Sequence, residues 1–527
     1  MRRTTLAFVA FAVAVGAAAC SGTASTSQSS APPASGPASW SAVSIPGSQI
    51  DAAINSLDGI ANRTMSATGI PGMAIAVVRD GKTVYAKGFG VRKAGTNDPV
   101  GADTAFQIAS VSKPIGASVV ASVVGTKGVA WTDPVTKYLT NFSLADPYVT
   151  KNATIGDFYA MRTGLPGEAA DELELMGFSR EQILARLKYL PLTPFRAQYH
   201  YTNFGLTAGA QAVSQAVKTP WELLSKQRIY DPLGMTRTTS NYAEFLTMDN
   251  RATLHSKLNG VWGANRTRDP QAQSPAGGVS TSANDMAKWL AMELGNGSYQ
   301  GTEVVDSAAL QESLIPRITS NPPMTPEARS GQFGYGINVV TDGTGRVRHA
   351  FSGAFTVGAA TNFVLLPSEN LGISVFTNAS PVGAPEAVTS EFMDLVETGA
   401  SSRNWLDLYG ELFGAMDGPT PTPPPAPSPT VAPAPTADYT GVYANPYYGP
   451  VTVKADGPRL VATLGPANFT IKLKHYNGNT FSSPAFGPAM TGTEIWMPDV
   501  AFTMKNGRAV GVTFEELDAS GLGTFTR

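Results

Sequence analysis

Two short apolar runs rich in β-forming residues, Gly72 to Val78 and Thr83 to Gly90, flank the dipeptide Asp80-Gly81. That arrangement predicts a β-hairpin opening an antiparallel sheet. Beyond it the pattern turns helical. Ser110 to Val124 is small and apolar throughout; Ser179 and Gln182 form a capping box ahead of Ile183, Leu184, Leu187 and Leu190; Asn203 to Val217 keeps helical spacing. Ser282 with Asp285 caps a further helix carrying Met286, Trp289 and Leu290. Strands return at Gly334 to Val340, Arg346 to Phe355, Thr361 to Leu366 and Gly372 to Thr377, and a helix is expected from Ala384 to Val396. Strands at both ends with helices between predict an α+β fold: an antiparallel sheet closed by the two ends of the segment, with flanking helices and a helical insertion.

Outside that body the pattern breaks down twice. Residues 21 to 48 are Ser, Thr, Ala, Pro and Gly with almost no charge, a composition that suits a tether. Pro419 to Pro435 is proline-rich enough to favour an extended spacer. The expected organisation is therefore a leader over 1–20, a tether over 21–48, the body over 49–418, a linker over 419–437 and a tail over 438–527. In the tail, Gly and aromatic residues alternate with short β-like runs such as Val451 to Val453, Phe469 to Leu473 and Ala509 to Phe514, which predicts a small antiparallel β-barrel or sandwich.

Composition narrows the partner. The 527-residue chain has a formal net charge of -2 and no long run of Lys or Arg, which argues against nucleic acid and for a small molecule or peptide. Arg2 and Arg3, the apolar stretch Leu6 to Gly16 and the small residues Ala17 to Ala19 read as an export signal too short to span a bilayer. They lead into Cys20, the only cysteine, so the segment resembles a bacterial lipoprotein signal whose Cys20 would carry the lipid anchor at the extracytoplasmic face of a membrane. Ordinary cleavage and secretion is the alternative. With one cysteine there is no intramolecular disulfide.

The chemistry concentrates in two short motifs. A serine hydroxyl needs a base to become a nucleophile, and a lysine serves as that base when its surroundings keep it neutral. Ser110-Val111-Ser112-Lys113 places both groups on one helix face. It is the only such spacing in the chain; elsewhere the same pair is usually a helix cap beside a solvated charge. Tyr201-Thr202-Asn203 adds a phenol able to carry a proton and an amide able to hold the lysine and a substrate carbonyl. Tyr443-Ala444-Asn445 repeats that spacing in the tail, so the tripeptide means little alone. His255 and His475 have no partners at metal-ligand spacing, no zinc or phosphate-loop signature occurs, and no cofactor is expected.

Gly72 to Val78, Phe106 to Lys113, Asp133-Pro134-Val135 with Tyr138-Leu139, Thr154-Ile155, Thr163-Gly164-Leu165-Pro166, Tyr201 to Gly205, Pro232 to Met235, Ala276 to Thr281, and Gly372-Ile373 with Thr377-Asn378 resemble, in order, the landmarks of the serine β-lactamase-related family. That family includes class C β-lactamases, D,D-peptidases, D-amino-acid-releasing peptidases and esterases. The resemblance implies Ser110 as acylated nucleophile, Lys113 as its proton partner, Tyr201 as catalytic phenol and Asn203 as a substrate-binding amide. The family's third motif, a cation, a small residue and glycine on a strand, falls by order at Phe351-Ser352-Gly353, where the cation is missing. Ser352, Gly353 and the Ala354 N–H are expected to contact substrate, the last with the Ser110 N–H as an oxyanion hole. His349 is a candidate displaced cation, with Arg346 and Arg348 nearby. Phe351 tilts the expectation toward an esterase or D-peptidase over a β-lactamase. A non-catalytic cell-envelope receptor is the alternative from another class.

Overall fold

The computed structural model describes residues 41, 43–416, 422–484 and 495–527; the leader, Cys20 and most of the tether lie outside the described residues. The expected hairpin is formed by β1 (Gly72–Arg79) and β2 (Lys82–Gly90). Its turn carries positive φ at both Asp80 (51°) and Gly81 (72°), the twist that matches two antiparallel strands. The remaining strands of the body sheet are β3 (Ile318–Asn321), β4 (Gly331–Phe333), β5 (Asn338–Thr341), β6 (Val347–Phe355), β7 (Ala359–Leu366) and β8 (Leu371–Thr377). They run in the order β2-β1-β8-β7-β6-β5-β4-β3, so the N-terminal hairpin docks beside the last strand and the two ends of the segment close one sheet.

Strand periodicity explains why β1 is apolar at every position. Met73, Ile75 and Val77 point to one face, where they pack with α1 (Gly47–Thr68) and the later helix α5 (Ala384–Thr398); Ala74, Ala76 and Val78 point to the other. That second face takes α4 (Ala283–Leu294) through Met286, Trp289 and Leu290, and α2 (Ser112–Gly125) and α3 (Asn203–Val217) belong to the same apolar core. A sixth helix, α6 (Trp405–Met416), lies on α5 through Trp405 and Tyr409.

Three expectations change. The first half of the strand foreseen over Gly334–Val340 is instead a turn between β4 and β5, because Gly334 N–H bonds the Ile337 carbonyl and Gly336 has φ of 76°; the strand itself starts at Asn338. α1 and α6 were not foreseen, and α1 begins inside the stretch read as tether. There Ser41 Oγ donates to the Thr344 carbonyl at 2.7 Å, so the chain already touches the sheet before the helix. The described part of the proline-rich segment also lies along the tail: Val431 N–H donates to Asn477 Oδ1 and Tyr476 OH to the Pro425 carbonyl.

The tail is an eight-stranded antiparallel sheet in sequential order from Gly441–Tyr443 to Thr524–Thr526. Paired hydrogen bonds between Ala444 and Thr526 bring its first and last strands together, so it is a barrel rather than a sandwich. It docks on residues 171–186 of the body. Tyr447 OH donates to Glu172 Oε1 at 2.7 Å, and Arg186 Nε donates to the Tyr447 carbonyl at 2.9 Å.

Candidate active site

Ser110 sits in a single 3₁₀ turn, Ala109–Val111, and α2 starts just after it, at Ser112. The turn is held from both sides. Ala109 has φ of 47°, a left-handed conformation that costs an alanine energy and that its neighbours therefore must enforce. Ser112 Oγ donates to the Ala109 carbonyl at 2.6 Å and accepts from the Val279 N–H at 2.9 Å. The result places Ser110 at a partly open position and turns Lys113, one helix step on, into the interior with no exposed surface. Pro114 falls in the first turn of α2, where a missing N–H leaves no bond unmade.

Four side chains from two segments, and a backbone carbonyl from a third, meet there. Lys113 Nζ lies 3.0 Å from Ser110 Oγ, 2.5 Å from Tyr201 OH, 2.7 Å from Asn203 Oδ1 and 2.9 Å from the Ala276 carbonyl. Ser110 Oγ and Tyr201 OH are 2.5 Å apart, which closes a triangle of hydroxyl, phenol and amine. Asn203 opens α3, and Tyr201 precedes it on the extended approach, so one chain entry into a helix supplies both. Burial pushes the Lys113 amine down to about 7, with Asp171 pulling weakly the other way. Burial pushes the Tyr201 phenol well above its ordinary range. Near neutral pH the amine is therefore the group that can take a proton, and the phenol is the one that stays protonated.

Two participants had no sequence signal. The Ala276 carbonyl comes from a short helix, Ser274–Gly277, and only the fold brings it to Lys113. Asp171 Oδ2 accepts from Asn203 Nδ2 at 2.7 Å, which turns the amide so that its oxygen faces the lysine. Asp171 neighbours Glu172, the residue gripped by the barrel, so the tail braces the segment that orients Asn203. Asp171→Asn replaces the accepting carboxyl by an amide that can also donate and lets the Asn203 amide present either end to Lys113. The expected result is a fall in kcat/KM of about three- to tenfold through kcat, since one hydrogen bond is worth roughly 0.5–1.5 kcal/mol. Steady-state kinetics checks this.

The third motif lies on β6 where that strand loses its neighbour: β5 pairs only as far as Ala350. The free stretch from Phe351 runs against the Ser110 turn. A Cβ on Gly353 would stand 2.8 Å from the Ser110 nitrogen, 2.7 Å from the Val111 nitrogen and 2.5 Å from the Ile108 carbonyl oxygen, so only glycine allows this approach. Thr361 Oγ1 ties the two together by donating to both the Ile108 and Gly353 carbonyls. Gly353→Ala should push the strand off the turn and lower kcat/KM on the order of 100-fold. A melting temperature kept near wild type would show that the loss is local.

The candidate cation behaves differently from the expectation. His349 lies on the same strand face as Phe351 but opens into another cavity, with Gln332, Val339 and Leu365, not into the one beside Ser110. Burial holds its imidazole down to about 4, so it is neutral. The four residues from His349 to Gly353 span about 13 Å along a strand, too far for it to serve Gly353's surroundings from there. Phe351 is buried against Phe333. Arg346 pairs with Glu369, and Arg348 with Asp342 and Glu397. Ser352 and Ala354 do line the cavity that Ser110 and Tyr201 open into. His255 is held at both ring nitrogens, by the Ala94 N–H and the Asn378 carbonyl, and Tyr443 and Asn445 make only bonds internal to the barrel.

Comparison with known proteins shows the family. The family model described as Beta-lactamase matches residues 57–398, well over half of the chain. The chain belongs to the beta-lactamase family. Residues 425–523 match a domain of unknown function, DUF3471. Among beta-lactamase relatives, "D-alanyl-D-alanine-carboxypeptidase/endopeptidase AmpH" of Escherichia coli (strain K12) is 24% identical over 348 residues, covering 64% of this chain and 88% of that one. "Beta-lactamase-like protein 2" of Dictyostelium discoideum is 26% identical over 278 residues; the match spans 50% of this chain and about half, 49%, of that relative. A solved structure, "Structure of the octameric penicillin-binding protein homologue from Pyrococcus abyssi", superposes with a TM-score of 0.59 at 19% identity, covering 90% of this chain and 100% of that one, which shows a shared fold.

Proposed function

We propose that this beta-lactamase family member is a serine hydrolase that forms an acyl-enzyme at Ser110. The observation that carries the reading is the fully buried Lys113 amine within hydrogen-bond distance of both Ser110 Oγ and Tyr201 OH. Ser110 Oγ attacks a substrate carbonyl carbon while its proton passes to neutral Lys113, directly or through Tyr201. In this reading the oxyanion is taken by the N–H groups of Ser110 and of Ala354, the residue after the Gly353 that packs against the Ser110 turn. Collapse breaks the bond to the leaving amine or alkoxide, which receives the proton from Lys113 through Tyr201. Water then attacks the acyl-enzyme, gives its proton to the same pair, and releases the acid and free Ser110.

We propose an amide, ester or peptide of the D-amino-acid type as substrate ahead of a β-lactam. Support comes from Phe351, which offers no charge to a carboxylate and so speaks against both a β-lactamase and a carboxypeptidase role, and from the endopeptidase part of the AmpH relative's name. We extend the reading to an extracytoplasmic location, anchored through Cys20 or secreted.

A fluorophosphonate followed by peptide mapping tests the acyl-enzyme: the added mass belongs on Ser110, and an adduct elsewhere counts against the mechanism. Relative kcat/KM on p-nitrophenyl esters, D-alanyl peptides and nitrocefin tests the substrate class. Nitrocefin turning over fastest would reverse that choice.

A further inference from the structure

The cavity beside Ser110 has a volume of about 370 Å³ and extends from β6 across the sheet face covered by α5 and α6. Its charge is one-sided. Asp342, Glu386, Asp394 and Glu397 line it against a single basic side chain, Arg348. Arg348 is engaged, with Nε 3.2 Å from Asp342 and 3.0 Å from Glu397. Asp394 accepts from the Ser402 N–H and Trp405 Nε1, both at 2.7 Å.

Glu386 differs from all of these. It is only 6% exposed, at the start of α5, and one oxygen accepts from Ser352 Oγ at 2.8 Å while Oε2 has no hydrogen-bond partner. A buried carboxylate without a cation is costly, so the group shifts toward its neutral form while the cavity is empty, and a cation entering the cavity favours the ionised form. Burial pushes this carboxyl up to about 7, as expected of an acid lacking its counter-ion. Its position bears on the reaction: Ser352, its hydrogen-bond donor, is the residue before Gly353, whose backbone touches the Ser110 turn. Asn362 Nδ2 donates to Ser352 Oγ at 2.7 Å, and Thr389 Oγ1 to Asn362 Oδ1 at 2.8 Å, so the carboxylate stands at the end of a fixed polar chain. Tyr409, Leu412 and Phe413 form an apolar wall beside it, able to take the hydrocarbon part of a ligand.

We propose that Glu386 is a specificity-determining residue that selects substrates bearing a primary ammonium group close to the scissile carbonyl, and discriminates against carboxylates at that place. This rests on the serine hydrolase reading. It reverses the polarity that a cation at position 351 would impose: the strand supplies Phe351, and the helix opposite supplies an acid.

Two matched pairs test it, since the ammonium can lie on either side of the bond: D-alanine p-nitroanilide against its N-acetyl form, and 4-(aminomethyl)phenyl acetate against 4-ethylphenyl acetate. In at least one pair the wild-type enzyme should favour the ammonium substrate by about tenfold in kcat/KM, as expected of a desolvated ion pair, mostly through KM. Glu386→Gln should bring that preference below about threefold, read as the ratio within each pair so that any general loss of activity cancels. Glu386→Asp, which keeps the charge, should restore part of it. No preference in either pair, or a preference that survives Glu386→Gln, overturns the proposal. Fluorophosphonate labelling of Ser110 is run on every variant. Its absence in the wild-type protein would sink the hydrolase reading itself. In that case calorimetric binding of D-alanine methylamide to wild type and Glu386→Gln still decides the amine site: equal affinity, or no binding to either, rejects it.

Discussion

Ser110→Ala is expected to lower kcat/KM on the order of 10⁴- to 10⁶-fold on any substrate the enzyme accepts and to abolish fluorophosphonate labelling, while the protein melts within a few degrees of wild type. The size follows from what remains. Loss of a nucleophile in a cooperating set costs about as much as loss of the whole set, and binding plus the oxyanion hole retain only a residual rate. Stability should hold because Ser110 contributes a partly open hydroxyl, whereas the strained turn is fixed by Ser112 and Thr361. Turnover surviving the substitution at more than about a tenth of the wild-type rate would reject acylation at this residue.

Lys113→Met carries the next largest effect, a loss on the order of 10³-fold or more in kcat, since the hydroxyl loses its base. The pH profile separates this from a packing defect. With the amine held at about 7, the base is neutral above that value and protonated below it, so wild-type kcat/KM should rise as pH increases through about 7 and level off beyond. Lys113→Met should erase that limb, leaving a flat residual rate. The same burial has a consequence for stability. In the unfolded chain this lysine keeps its ordinary value of 10.5, so between about 7 and 10.5 the unfolded state binds more protons than the folded one. Folding stability therefore gains from this group as pH rises through that window, and Lys113→Met should remove that part of the slope in denaturant titrations at several pH values. A profile rising instead near the ordinary range of a phenol would transfer the base role to Tyr201.

Much of the local structure was legible because its signals are local. The Asp80-Gly81 turn, the capping box at Ser179, the N-cap at Ser282 and the apolar helix after Ser110 rest on backbone preferences within a few residues and form where the pattern put them, though the helix after Ser179 ends at Leu184 and continues only as a 3₁₀ turn at Leu187–Tyr189. Other features needed the whole chain. Gly334–Val340 has strand composition, yet Gly336 turns there to pass the Lys113 backbone, and no local preference records that approach. α1 was missed although Ile50, Leu57, Ile60 and Ala61 do keep helical spacing; it begins in a segment whose composition otherwise resembles its tether. His349 follows strand alternation correctly onto one face with Phe351. Alternation says nothing of which cavity that face opens into at each level, and His349 faces a different one.

What the sequence determined by itself is the family, through ordered motifs, and the pairing of Ser110 with Lys113, because three residues of helix fix that distance whatever surrounds it. Only tertiary structure decided that the amine is dry, that Tyr201, Asn203 and the Ala276 carbonyl converge on it, that Asp171 orients Asn203, and that Glu386 lines the cavity beside Ser110. Those contacts join residues far apart in the chain. They depend on how strands and helices pack to exclude water from one point, a property of the packed whole that no short stretch of chain carries.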